Sequence, residues 1–283
     1  MASRPSPGTV VHHRSTGAFA ELRHICLSHR WLIWEMAKRD VRDRYARQVL
    51  GALWAVAHPL MLMVLYAVIF AYVFPTRLGH TVDLPRDYTT FVLAGLIPWL
   101  TFQECLGRAT TAISSNGSLV KQIVFPVEVL PIKTVLAVLP TQIVATLFLI
   151  AYQLVRGLPL PATALLLPVI FVAQLMHMVA AAFLLGTIGV GFRDVKDIVS
   201  VFSTANLFMM PVLYVPGIVP TSIEWVFALN PFSYLIWCYH DAMFYGRINH
   251  PAAWIAVVLT APMTMVLAYR VFRRLKLVFG DLL

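Results

Sequence analysis

Residues Arg39–Pro59 read RDVRDRYARQVLGALWAVAHP, a charged helical pattern that runs into an apolar segment with no loop between them. From Trp34 onward, Trp34, Ala37, Val41, Tyr45 and Val49 recur at spacings of three or four, while Lys38, Arg39, Asp40, Arg42, Asp43, Arg44 and Arg47 fill the other faces. That pattern fits a helix lying in the membrane interface, one side in lipid and the other offered to water or a partner. It also fits a basic stop-transfer flank that only fixes topology, and the segment alone does not separate the two. Either way, it places the start of a transmembrane helix near Gly51.

The rest of the chain agrees. At 59% hydrophobic and 12% charged, it has far fewer charges than the quarter or so usual in soluble domains. Its mean hydropathy is +0.77. A hydrocarbon core about 30 Å thick needs roughly 20 apolar residues per helix. Six stretches qualify: Gly51–Phe74, Tyr88–Ala112, Ile132–Val155, Ala162–Gly191, Ile198–Val215 and Ala252–Tyr269. The second is the least clean, carrying Gln103, Glu104 and Arg108, and the fifth is short and ends in prolines.

Lys and Arg set the expected orientation, because cytoplasmic loops are enriched in them. The first 50 residues hold nine of the 22, and Arg270, Arg273, Arg274 and Lys276 crowd the end. Both termini are therefore expected in the cytoplasm of a multi-pass inner-membrane protein, as an even number of spans requires. Lys121, Lys133, Arg193 and Lys196 fall in the inside loops. The net charge of +9 belongs to the inner membrane surface, and no nucleic acid is needed to explain it.

This gives an all-α integral membrane fold of four parts: a flexible tail over 1–20, an amphipathic interface helix over 21–50, a six-span domain over 51–271 and a cytoplasmic tail over 272–283. The N-terminal stretch lacks the charged stub, apolar run and small-residue cleavage site expected of a signal peptide. Cys26, Cys105 and Cys238 are separated by the topology and read as small apolar residues. His12 and His13 lack acidic or cysteine neighbours for a metal site.

Absent motifs narrow the function. No G-x-x-x-x-G-K-[ST] phosphate loop, H-E-x-x-H or G-x-S-x-G occurs, so the chain is expected neither to bind ATP nor to be catalytic by itself. Asp194 and Asp197 could hold a magnesium ion facing a lipid diphosphate, which would make the chain a polyprenyl-phosphate enzyme. They lack a third carboxylate, and a charged turn capping span five fits them better. A proton-driven transporter would rest on Glu104 alone. In the loop Ile113–Pro131, Ser114 to Ser118 break the helix, and Leu119 to Val124 could start a short new one bounded by Pro126 and Pro131.

A series of segments now carries a family resemblance: RDVRDRYARQVLGALWAVAHPL (Arg39–Leu60), FVLAGLIPWLTF (Phe91–Phe102), SLVKQIVFPVEVLPI (Ser118–Ile132), GVGFRDVKDI (Gly189–Ile198), MMPVLYVP (Met209–Pro216) and LNPFSYLI (Leu229–Ile236). In this order and spacing, over about residues 30–283, they resemble the ABC-2 type permeases that export bacterial O-antigen, teichoic acid and capsule. The resemblance implies a homodimer of permease subunits joined to two ATPase subunits, which bind ATP and magnesium and drive a lipid-linked polysaccharide through the dimer. It implies that the interface helix and a coupling helix in the loop after span two dock on the ATPase. Arg39, Arg42, Arg44, Ser118, Lys121 and Gln122 are the candidates for that contact. The same basic residues could instead attract the diphosphate of the substrate.

A sugar path wants aromatic faces with scattered hydrogen-bonding groups. Tyr66 and Tyr72 on span one, Trp99 and Phe102 on span two, and Phe202, Phe208 and Tyr214 on span five are the lining candidates. Glu104 and Arg108, four residues apart, are either a structural pair or further contacts on that path. The stretch Val215–Pro251 is too apolar for a free loop and too broken for a full span. The resemblance implies short re-entrant helices there that gate the outer end, with Pro216, Trp225, Asn230, Pro231 and Trp237 as gate residues.

Overall fold

The structure, a computed structural model, describes residues 17–46, 48–73, 85–121, 125–215, 221–276 and 279. Most of the expected tail, Gln122, Pro216 and the last residues of the C-terminal tail lie outside the described residues. The expected single interface helix is two: α1 (Ala18–Ser28) and α2 (Arg30–Tyr45), broken at His29. The loopless join to span one is also corrected. α2 stops at Tyr45, a turn follows, and Gly51 takes the left-handed conformation (φ +49°) that favours glycine before a single 3-10 turn, Gly51–Leu53. Val49 therefore lies beyond the helix, fully exposed, and not on its apolar stripe.

α3 (Trp54–Val68) continues into a π turn over Ile69–Val73. α4 (Tyr88–Ala109) is followed by a 3-10 turn at Ser114–Asn116 and the four-residue α5 (Gly117–Val120), which starts two residues earlier than the sequence suggests. α6 (Val129–Val155) and α7 (Leu167–Gly191) are long apolar helices, α7 being led by the 3-10 stretch Ala162–Leu166. Then come α8 (Val195–Phe208), α9 (Thr221–Leu229), α10 (Pro231–His240) with a π extension over Asp241–Tyr245, and α11 (Pro251–Leu275). Asn230 caps α10 by accepting from the Phe232 N–H at 3.0 Å, and Pro231 opens the helix, where its missing N–H costs nothing.

Among the described residues, five helical stretches are long and apolar enough to cross a bilayer: Trp54–Tyr72, Tyr88–Ala109, Val129–Val155, Ala162–Gly191 and Pro251–Leu275. The expected fifth span is answered by α8, whose 14 residues reach about 21 Å at 1.5 Å each, short of the hydrocarbon thickness. Pro211 explains the stop, since it disfavours helical geometry in the residue before it. The irregular run beyond is nonetheless held in the core by Met210, Val212 and Val215.

α4 is the centre of the bundle, in contact with α3, α6, α7, α8 and α10. It has the lowest hydropathy of the five, 1.2, and is the most buried, at 78%. Its polar residues face protein, which is why it reads as a poor span. Two glycine contacts bring neighbours close to it. Gly95 lies against His240 and Ile236 of α10, and Gly189 of α7 lies against the Thr110 carbonyl just past the end of α4.

A buried polar cluster joins four elements at mid-bundle. The amides of Gln142 and Gln174 pair reciprocally at 2.8 and 3.0 Å, the Tyr239 hydroxyl donates to Gln174 Oε1 at 2.5 Å, and Gln174 Nε2 donates to the Pro98 carbonyl at 3.2 Å. This ties α4, α6, α7 and α10 together in surroundings where unpaired polar groups are costly. Gln174→Leu is expected to lower stability by about 1–2 kcal/mol, the range of interhelical hydrogen bonds in membranes, measured by thermal melting in detergent.

Candidate functional site

The N-terminal helices are packed onto the bundle through opposite charges. Asp40 receives Lys133 Nζ of α6 at 2.9 Å and Arg273 of α11 reaches Glu21 of α1 at 2.6 Å, while Lys276 pairs with Glu128 to tie the end of α11 to the start of α6. Apolar contacts complete the fit: Leu22 and Ile33 join Ile113, Phe183, Tyr269 and Phe272 in one buried cluster. Cys26 on α1 is half-buried, and that burial raises its thiol pKa.

The six coupling candidates separate here. Arg39 is exposed and pairs with Asp43 at 3.4 Å; Arg42, Ser118 and Lys121 are exposed too, and Gln122 is outside the described residues. Arg44 points the other way. Its Nη1 lies 2.7 Å from Glu104 Oε1 on α4, and its Nη2 donates to the Ala137 carbonyl of α6 at 3.4 Å. Arg108 Nε approaches the same Glu104 oxygen at 3.0 Å, so the pair anticipated within α4 is a triad with α2. The outer side of α2 also presents Trp31 and Trp34, with Lys38 over both rings at 5.8 and 5.7 Å.

The path candidates form two sets. Trp99 and Phe102 are buried, stacked on each other at 6.5 Å and closed over by Phe232 of α10, which meets them edge-on at 5.4 and 5.2 Å. Phe202 of α8, partly exposed, reaches the same Phe232 at 6.0 Å. Tyr66, half-buried, packs on Phe70 at 6.5 Å, whereas Tyr72 and Phe208 are exposed. Tyr214 stacks on Phe227 at 5.7 Å. On the same three helices the buried polar atoms Trp99 Nε1, Ser203 Oγ and Ser233 Oγ have no hydrogen-bond partner among the described residues. Other helix hydroxyls, such as Thr101, Thr187 and Thr204, donate to the carbonyl four residues earlier. The seam of α4, α8 and α10 is thus an aromatic one, with Trp99 and Phe102 buried beneath Phe232.

Trp225 is exposed, Asn230 caps α10 and bonds Asn206 of α8 at 2.7 Å, and at the end of the bundle away from α2 Trp237 stacks on His250 at 5.3 Å. Pro216 is outside the described residues. Residues not anticipated from sequence complete this end. Asp241, fully buried, accepts from the His250 backbone N–H at 2.9 Å and Trp254 Nε1 at 3.1 Å, with His250 Nδ1 also at 2.9 Å. Arg86 donates to Gln153 Oε1 at 3.2 Å and the Pro159 carbonyl at 2.6 Å; burial lowers its pKa, against the pull of neighbouring Asp87. An acid or amide alone in an apolar run, as with Asp241, Gln153 and Gln174, is the signal that could have found them. Asp194 and Asp197 are exposed at the start of α8, and among the described residues no cluster of three or more His, Cys, Asp or Glu could hold a metal ion.

Residues 32–244 match the sequence profile of the ABC-2 type transporter family. An O-antigen export system permease protein RfbA of Klebsiella pneumoniae is 27% identical over 257 residues, 89% of this chain and 95% of the relative. Its namesake in Myxococcus xanthus is 29% identical over 219 residues, 77% and 81% of the two chains. The polysialic acid transport protein KpsM of Escherichia coli is 31% identical over 99 residues, 35% of each. With well over half its length matched and several apolar helices around a buried α4, the chain belongs to the ABC-2 type transporter family, as a multi-pass membrane component rather than a catalytic subunit.

Proposed function

We propose that the chain is the permease subunit of an ATP-driven exporter that carries a lipid-linked cell-surface polysaccharide, of O-antigen type, across the inner membrane. The observation that carries this reading is the near end-to-end similarity to O-antigen export permeases, 89% of this chain on 95% of the relative. The shorter match to KpsM, 35% of each chain, keeps capsule export second. In this reading two copies pair, α8 and the run after it complete a sixth span, and both termini lie in the cytoplasm. The exposed faces of α2 and α5 then meet two ATPase subunits that bind ATP and magnesium. Undecaprenyl diphosphate is the carrier that fits best, and α9 and α10 act as short re-entrant helices at the outer end. The aromatic seam of Trp99, Phe102, Phe202 and Phe232 suits stacking on sugar C–H faces.

Two measurements test it. Deletion of the chain should abolish surface polysaccharide while lipid-linked polymer accumulates inside the cell, and the tagged chain should retain an ATPase whose hydrolysis rises with lipid-linked polymer. A chain that moves substrate alone, or whose loss leaves the cell surface unchanged, would overturn the reading.

A further inference from the structure

Two residues of α2 one turn apart, Asp40 and Arg44, carry opposite charges and meet opposite charges on two helices: Asp40 on Lys133 of α6 and Arg44 on Glu104 of α4. Ile33 and Ala37 continue the same stripe as buried apolar contacts. The other side of α2, with Trp31, Trp34, Arg39 and Arg42, is exposed. α2 therefore has an inner face fixed to the bundle and an outer face free for a partner. Both terminal nitrogens of Arg44 are engaged inward, on Glu104 and the Ala137 carbonyl, so Arg44 is not available to a docking protein.

The junction offers Glu104 two cationic partners. One Glu104 oxygen serves Arg44 and Arg108 together, so Glu104 keeps a partner within α4 if Arg44 withdraws. A polar cavity of about 310 Å³, lined by Asp43, Arg44, Arg108, Thr111, Ser115 and Lys133 among others, adjoins the junction and gives the guanidinium room to move. Discrete alternatives of this kind at a packed interface are what convert a small displacement into a change of state. Because α4 also carries Trp99 and Phe102, it joins this junction to the aromatic seam.

We infer that the Arg44–Glu104 ion pair is the pin through which movement of α2 reaches α4 and the polysaccharide path. Arg44 and Glu104 are then positioning residues, contacting neither the ATPase nor the sugar. The inference rests on the exporter reading above.

A charge-swap cycle in the full chain with its ATPase tests it. Arg44→Glu and Glu104→Arg should each lower surface polysaccharide about tenfold, within the range that coupling between sites reaches, while retaining the ATPase at the wild-type ratio. The double swap lets Glu at 44 bridge the arginines at 104 and 108, and it should recover export to within about threefold of wild type. Arg44→Lys should fall in between. If a reversed chain fails to reach the membrane, the Arg44→Gln and Glu104→Gln pair reads the same coupling as non-additive losses. Loss of the ATPase from Arg44→Glu would make Arg44 a docking residue and overturn the pin; so would a double variant, present at wild-type level, that exports no better than the singles. Failure of the exporter reading looks different: the wild-type chain then neither retains an ATPase nor supports surface polysaccharide.

Discussion

Gly189→Val is expected to remove the chain from the membrane. A Cβ at Gly189 would lie 1.8 Å from the Thr110 carbonyl oxygen and 2.9 Å from its carbon, and both are backbone atoms that cannot swing aside. To admit the side chain, α7 must part from the end of α4, giving up the contact of Gly186 with Ile113 in the same crossing. The cost should lie at or above the top of the ~1–3 kcal/mol range for overpacking, a large share of the stability of any domain. Membrane abundance and the melting temperature of the solubilised protein measure it. Gly191→Ala, two residues on in open space, is the matched control and should change neither. Wild-type abundance of the valine variant would mean that the crossing is looser than described.

Asp241→Ala should have the second largest effect. Its fully buried carboxylate organises the reversal from the π extension of α10, through Gly246 in the left-handed region at φ +68°, into the first turn of α11. Truncation leaves the His250 N–H and the Trp254 indole N–H without an acceptor and frees the His250 ring stacked beneath Trp237. At about 1–3 kcal/mol for each buried unsatisfied group, the loss should be about 3 kcal/mol or more. It would appear as a lower melting temperature together with altered Trp254 fluorescence. Asp241→Asn keeps one acceptor oxygen and should lose less. Equal losses from the two variants would show that volume, not hydrogen bonding, holds the turn.

The long helices were legible because α3, α6, α7 and α11 are nearly uninterrupted apolar runs, less than half of each being buried within the bundle. α8 was overestimated because the residues after it are apolar although Pro211 prevents them from being helical. The break at His29 lacks a glycine or proline to announce it. Arg44 is the instructive case. Stripes 33/37/40/44 and 34/37/41/45 are offset by about one residue, and periodicity cannot choose between them when each contains aromatic or aliphatic groups. The choice is made by Lys133 and Glu104, which lie 93 and 60 positions from their partners on α2, a tertiary pairing that local pattern does not encode. Trp99 and Phe102 were legible as a pair, but Phe232, which covers them, was hidden in a loop-like stretch of prolines and aromatics.

The burial of α4 also bears on how the protein is made. A segment of hydropathy 1.2 that ends in Glu104 and Arg108 gains little from lipid as it leaves the ribosome, since each charge near a helix centre costs insertion about 2.5–3.5 kcal/mol and somewhat less toward the ends. The helices that shelter it, α6, α7 and α10, all follow it in the chain. Of the described segments made before α4, α3 packs against it and α2 supplies the Arg44 side chain as a counter-charge to Glu104. The Arg44–Glu104 pair is thus among the contacts of α4 that can form before α6, α7 and α10 have been made.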